Sequence, residues 1–208
     1  MSVMAVPAFY DSLALSFVKA WDLIEPGATI RRSSAHTPVV ATVDARGDPQ
    51  LRVMVLRQGN RDTRRLRFHT DLRAAKVKEI GNGSGVSVLM YDPDQKLQLR
   101  LVGHASIETD GSDAEAAWQH STTFARRCYM GENPPAAVSE HPTSGLPNWI
   151  EGKQPNEADL IDSRANFAIL WVDVQSVEWL YLANNGHRRA KWEWDGTKND
   201  WSGCWLVP

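Results

Sequence analysis

The apolar positions of this chain change period several times, and each change predicts a new element. From Ala8 to Ile24, residues Phe9, Leu13, Phe17, Ala20 and Ile24 recur at helical spacing, with Asp11, Lys19 and Asp22 on the other side. Pro26-Gly27 is the expected stop. Strand-like runs follow. Thr37–Asp44 and Gln50–Arg57 read as a hairpin turning at Ala45-Arg-Gly-Asp48. After a polar loop, 58–63, Arg65–Thr70 returns, with Leu66 and Phe68 facing one way and Arg65, Arg67 and His69 the other. A short helix, Arg73–Ile80, is expected next, with Asp71 as its N-cap and Gly81-Asn-Gly-Ser-Gly85 as its stop. Val86–Tyr91 and Lys96–Glu108 are strands, and Gly103 marks a kink or bulge in the second.

Ser112 is placed to cap a helix running from Asp113 to about Arg127. Residues 130–162 have no regular period and read as an irregular insertion anchored by Leu146, Trp149 and Ile150. Strands resume at Phe167–Val174, Val177–Leu182, Arg188–Trp194 and Trp201–Val207, with a hairpin signal at Ala183-Asn-Asn-Gly186. Hairpin-like spacing with few helices predicts a mainly β chain with α additions, an antiparallel barrel rather than a βαβ repeat. One domain spanning residues 1–208 is expected, with an N-terminal helix at 8–24.

Composition narrows the classes. A formal net charge of −2 on 208 residues gives no global basic field for nucleic acid or an anionic membrane. No apolar run approaches the roughly 18 residues of a membrane span. The first residues lack a basic region, and Asp11 interrupts the apolar run, so no signal peptide is expected. Only Cys128 and Cys204 are present, which favours a reducing, cytoplasmic setting. The histidines His36, His69, His104, His120, His141 and His187 are dispersed without metal-ligand spacing, so no metal is expected. Six of the nine tryptophans lie between Trp171 and Trp205. Such a cluster implies a packed sheet, an interface or a ring-shaped ligand.

The candidate chemistry lies between Leu51 and Lys76. Arg52 and Arg57 bracket an apolar strand, while Thr70, Arg73 and Lys76 gather at a helix start. Free N–H groups and the helix dipole favour an anion there, and arginine grips phosphate bidentately. A solvated basic face and a phosphate site both fit this pattern. The glycines of 81–85 lead from helix into strand, the reverse of a phosphate-cradling loop.

Four segments, in order, resemble the pyridoxamine 5′-phosphate oxidase-like FMN-binding split-barrel family. They are Arg52-Val-Met-Val-Leu-Arg57, Phe68-His-Thr-Asp-Leu-Arg-Ala-Ala-Lys76, the strand pair Val86–Tyr91 with Gln98–Gly103, and the late Trp179 with Arg188. The resemblance implies an antiparallel split β-barrel that forms a homodimer with FMN at the interface. It implies that Arg52, Val53, Met54, Val55, Leu56 and Arg57 line the isoalloxazine and reach the phosphate. It assigns His69 and Thr70 to FMN, Lys76 to its phosphate, Gln98 to the flavin from the partner subunit, and Trp179 to the ring edge. The family's Ser-Arg before the lysine is Ala74-Ala75 here, and Arg73 stands one step earlier as a substitute guanidinium. The oxidase's Arg-x-His is Arg188-Arg189-Ala190, and its later FMN-binding arginine falls near Trp192. The expectation is a flavin-dependent oxidoreductase related to the oxidase but not selective for vitamin B6. Arg57, His69 and Arg188 are its substrate-facing candidates. The alternative is a non-catalytic binder of FMN, or of a deazaflavin or haem. Dimerisation is expected through the Trp-rich C-terminal sheet, whose aromatic face would otherwise be exposed.

Overall fold

The computed structural model describes residues 6–81 and 83–208. Part of the N-terminal leader reading (Met1–Ala5) and the Asn82 of the glycine run lie outside the described residues. The chain divides into two compact units, one built from residues up to Phe68 with Gly85–Ala105 and Val172–Pro208, the other from His69–Ser84 and Ser106–Trp171.

Helix α1 (Leu13–Gly27) opens the first unit. It starts later than the periodicity suggests, because the Ser12 hydroxyl accepts the Leu15 N–H at 3.3 Å and caps it there. Pro26 and Gly27 sit in its last turn rather than beyond it. The strands are β1 (Val39–Val43), β2 (Pro49–Val53), β3 (Leu56–Asn60), β4 (Arg65–Asp71), β5 (Ser84–Asp92), β6 (Leu97–Glu108), β7 (Phe167–Tyr181), β8 (Arg188–Asp195) and β9 (Asp200–Leu206). They form one open sheet in the order β2-β1-β5-β6-β7-β4-β3, with β8 and β9 added beside β7. β4, β6 and β7 run on into the second unit.

The expected strand 50–57 is two strands. β2 pairs antiparallel with β1, with Arg52 opposite Val40, whereas β3 pairs with β4, with Leu56 opposite Phe68. The break falls at Met54-Val55: the Met54 N–H still bonds back toward β1, donating to Pro38 O at 3.0 Å, and pairing with β4 starts at Leu56. β3 then takes in Gln58–Asn60, which had read as loop. The reverse error occurs at 167–182: two strands are expected with a break at Gln175-Ser176, yet β7 runs through them unbroken. The alternation of β4 is as expected, with Leu66 and Phe68 fully buried. Gly103 serves a close approach: a Cβ there would sit 2.3 Å from Asp173 O, so no side chain fits.

The tryptophan cluster is packing. Phe17 of α1 contacts Trp192 and Trp201, each at 5.3 Å between centroids, and Phe9 meets Trp179 at 5.8 Å and Tyr181 at 5.2 Å. The aromatic face expected to drive dimerisation is therefore largely covered by the chain's own N-terminal helix. The exposed apolar surface lies elsewhere. Val43, Leu51, Val53, Leu89 and Tyr91 are all exposed, and the register Val53–Val39–Leu89 puts them on one face of β2, β1 and β5.

The second unit holds α2 (Ala75–Ile80), α3 (Ser112–Gln119), α4 (Thr123–Arg126) and the insertion. The expected helix 113–127 is broken because Thr122 starts a new cap, accepting the Ala125 N–H at 3.2 Å. Ser112 is inside α3, whose N-cap is Gly111. Trp118, Tyr129, Leu160, Phe167, Ile169 and Trp171 form the core of this unit. Of the expected anchors in 130–162, Ile150 is buried and Trp149 is exposed. Among the described residues no helix is long and apolar enough to cross a membrane. Neither cysteine is in a disulfide.

Asp92, at the end of β5, shows how the first unit ties a loop to its sheet. Its carboxylate accepts from Ser34 Oγ at 2.9 Å, Gln95 N at 2.8 Å and Gln95 Nε2 at 3.0 Å. Burial alone would raise its pKa, but these hydrogen bonds outweigh burial and hold it below the ordinary 3.8. A depressed folded-state pKa gives stability that is present above the unfolded value and lost as pH falls through the folded one. Asp92→Asn is expected to cost about 1–2 kcal/mol at neutral pH in urea unfolding. The difference from wild type should shrink as the pH drops below about 4. A difference that does not depend on pH would show that the carboxylate charge contributes nothing.

Candidate functional site

In the first unit the predicted residues separate by strand. Arg52 on β2 is half-buried. Its Nη1 donates to Thr42 Oγ1 at 2.5 Å, Gln50 O at 2.9 Å and Val40 O at 3.5 Å, so part of its guanidinium is fixed against β1. Val53 is exposed, Met54 is buried, Val55 is half-buried and Leu56 is fully buried. Arg57 is exposed on β3, at the position where the β3–β4 register shifts. Arg52 and Arg57 thus belong to two different strands, not to the two ends of one. Gln98 is half-buried on β6 between Leu97 and Leu99. On the same strand face Arg100 joins Arg189 at the buried Glu178, at 2.5 and 2.7 Å. Trp179 is fully buried beneath Phe9 and Tyr181, with no ring surface open to a ligand, so its expected place at a flavin edge is not one the folded chain offers. Arg188 is engaged by Asp11 at 2.9 Å.

In the second unit, Lys76 and Thr70 meet at the end of β4, while Arg73 and His69 are each held by other partners. The Thr70 side chain is buried, and the Lys76 Nζ donates to its Oγ1 at 3.3 Å. Lys76 occupies the first turn of α2 and is half-buried. An ammonium and a hydroxyl held side by side can both donate to a phosphate oxygen. Asp71 is not the N-cap of α2, a place taken by Ala74 without any side-chain bond. Its carboxylate instead holds Arg73, accepting from Arg73 N at 2.8 Å, Nε at 3.0 Å and Nη2 at 2.8 Å. Arg73 Nη1 donates to Gly131 O at 2.8 Å. The hydrogen bond to Asp71 raises the Arg73 pKa above the ordinary guanidinium value, against the opposing effect of burial. Arg73 therefore spends three of its nitrogen groups on the protein and fastens the start of the insertion. His69 lies edge-on to Phe167, with centroids 4.9 Å apart.

Residues 21–109 match the family model of the pyridoxamine 5′-phosphate oxidase FMN-binding domain. The matched segment contains every candidate named above except Trp179 and Arg188. No curated protein matches the chain. Two solved structures are similar over nearly its whole length. A pyridoxamine 5′-phosphate oxidase-related, FMN-binding protein from Nostoc punctiforme is 22% identical, covers 99% of this chain and 100% of its own, and superposes with a TM-score of 0.69. PhzG from Burkholderia lata, solved in complex with tetrahydrophenazine-1-carboxylic acid, is 19% identical over 100% of both chains, with a TM-score of 0.70. At these identities the likeness is one of fold: an antiparallel split β-barrel with few helices.

Sequence reading missed the partners that fix the basic residues, namely Thr42 for Arg52 and Asp71 for Arg73. The second was visible in principle, since an Asp two residues before an Arg at a strand end is a common local pair. Arg73→Gln should cost about 1–2 kcal/mol in chemical unfolding and speed amide exchange near Gly131. Unchanged stability and exchange would mean that the pair with Asp71 holds nothing in place.

Proposed function

We propose that this chain is an FMN-binding flavoprotein of the pyridoxamine 5′-phosphate oxidase-like type, acting as a flavin-dependent oxidoreductase on a small molecule. The observation that carries the reading is the match of residues 21–109 to the FMN-binding domain model, joined to the Lys76–Thr70 pair at the place the resemblance gives to the FMN phosphate. The residues present fit that group: the lysine is half-buried and its ammonium is already turned toward a hydroxyl. Lys76 and Thr70 would hold the phosphate by charge-assisted hydrogen bonds. Arg52, Val53, Met54, Val55, Leu56, Arg57 and Gln98 are the residues assigned to the rest of FMN. Arg73 supports the surrounding loop in this reading, and Trp179 the core. Bound FMN supplies a centre that accepts and returns a hydride, and the protein's part is to orient it and shape what reaches it. Arg57 and His69 are proposed as substrate-facing.

The working form is a homodimer. The support for this is the exposed apolar face of β2, β1 and β5, with Leu51 and Val53 each 64% exposed. Contiguous large apolar side chains on a flat sheet face suit a second copy of the same face, related by a twofold axis. The setting is taken as cytoplasmic, in keeping with cysteines outside any disulfide.

Lys76→Ala should weaken FMN binding by about tenfold to a hundredfold, as expected for loss of one charge-assisted bond, while leaving the fold intact. Fluorescence titration of FMN, alongside circular dichroism, measures both. Wild-type affinity in the variant would put the phosphate elsewhere. Val53→Asp should convert a dimer to a monomer in analytical ultracentrifugation. A variant that sediments like the wild-type dimer would exclude this face as the interface.

A further inference from the structure

A cavity of about 460 Å³ opens in the first unit where the first turns of α1, the β3–β4 hairpin and the β8–β9 hairpin meet. Phe17, Arg61, Asp62, Arg64, Trp194 and Trp201 are among the residues that line it, and none of the residues assigned to FMN is. Its floor is aromatic: Phe17 lies against Trp201 at 5.3 Å between centroids, and Trp194 meets Trp201 edge-on at 5.6 Å. Each arginine rests on one of these rings. The Arg61 guanidinium is 5.3 Å from the Phe17 centroid, and that of Arg64 is 3.8 Å from the Trp194 centroid. Arg64 Nη1 also donates to Val174 O at 3.0 Å. Among the described residues neither guanidinium is paired with a carboxylate, although Asp62 and Asp200 both line the cavity. Arg64 ends the β3–β4 loop with a φ of 58°. Glycine or asparagine is the usual residue for that left-handed conformation, and the β8–β9 turn uses Asn199, with a φ of 52°, for it. A side chain as bulky as arginine is strained there, and such strain gathers at ligand sites.

We propose that this cavity binds a mononucleotide, with its phosphate between Arg61 and Arg64 and its base against Trp201. A guanidinium without a carboxylate partner offers paired N–H donors to a phosphate, and here there are two. The rings beneath them hold both in position before a ligand arrives, which lowers the ordering cost of binding. The cavity is the size of a small-molecule site and larger than a bare phosphate needs. Two arginines and two aspartates also leave its wall without net charge, so a bare anion is not drawn in by the field alone. The remaining affinity comes from stacking, which an indole gives to any base. Asp200, exposed beside Trp201, is an acceptor for the sugar hydroxyls. Asp62 shares the loop of the two arginines and opposes the phosphate, which keeps the affinity down. The site goes beyond the flavin reading and does not depend on it.

The test is calorimetric titration of the full-length protein, loaded with FMN and freed of the excess, with adenosine 5′-monophosphate. Adenosine and ribose 5-phosphate are the controls that lack the phosphate and the base. Wild type should bind the monophosphate, and each control about tenfold more weakly or worse. Arg61→Gln should lose about three- to fivefold, as for an exposed charge. Arg61 is exposed, and Glu25 bonds its backbone N–H rather than its guanidinium, so the fold survives this change. Arg64→Gln should lose about tenfold to a hundredfold. Asp62→Asn should gain about two- to fivefold, which a merely structural role would not produce. Arg46→Gln removes an exposed arginine that pairs with Asp44 and Asp48 on the β1–β2 turn, and should leave the affinity unchanged. The proposal is overturned if wild type does not bind the monophosphate, if either control binds as tightly, or if Arg61→Gln binds like wild type. It is equally overturned if Asp62→Asn does not bind more tightly, if Arg46→Gln loses as much as Arg61→Gln, or if the monophosphate releases FMN, which would put it in the flavin site. A protein that takes up no FMN is titrated as purified. That failure sinks the flavin assignment alone, and the same outcomes then decide the cavity.

Discussion

The structure depends on the two residues that separate β2 from β3. Met54-Val55 join strands lying at opposite ends of the sheet path, β2 beside β1 and β3 beside β4. Three Cα–Cα steps from Val53 to Leu56 reach at most about 11 Å. A sheet whose first and last strands are tied so closely has to curl, and no ladder forms between β2 and β3 to close it. The hydrogen bond from Met54 N to Pro38 O carries the β1–β2 pairing one residue further and satisfies the backbone at the crossing. The two similar solved structures share this fold, with TM-scores of 0.69 and 0.70.

The same break distributes the chemistry. On the β2 side, the chain turns Leu51 and Val53 outward and draws Arg52 in toward Thr42. On the β3 side, Leu56 packs into the core against Phe68 while Arg57 remains exposed. The basic residues are therefore unequal. Arg52 is partly immobilised, Arg73 is committed to Asp71 and Gly131, and Lys76 is poised beside a buried hydroxyl.

Much of this was legible in the chain. The period of α1, the alternation of Leu66, Phe68 and Thr70 on β4, and the run Leu97, Leu99, Leu101 on β6 are local, one-sided burial patterns, and they folded as they read. The misreadings share a cause: the deciding partner is distant in sequence. The run Arg52–Arg57 is uniformly apolar inside, so nothing local shows that its two halves take different neighbours. Gln175 and Ser176 are polar but are held in β7 by distant partners, as in the pairing of Ser176 with Glu193 on β8. The tryptophans looked like an interface because the helix that covers them lies at the other end of the chain. At the candidate site, residue types could be read from the sequence, but which were already neutralised could not.

The most direct measurement is the visible absorption spectrum of the purified protein, before and after incubation with FMN and removal of the excess. The account predicts a bound-flavin spectrum at one FMN per chain that survives gel filtration. A protein that stays colourless after incubation would contradict it.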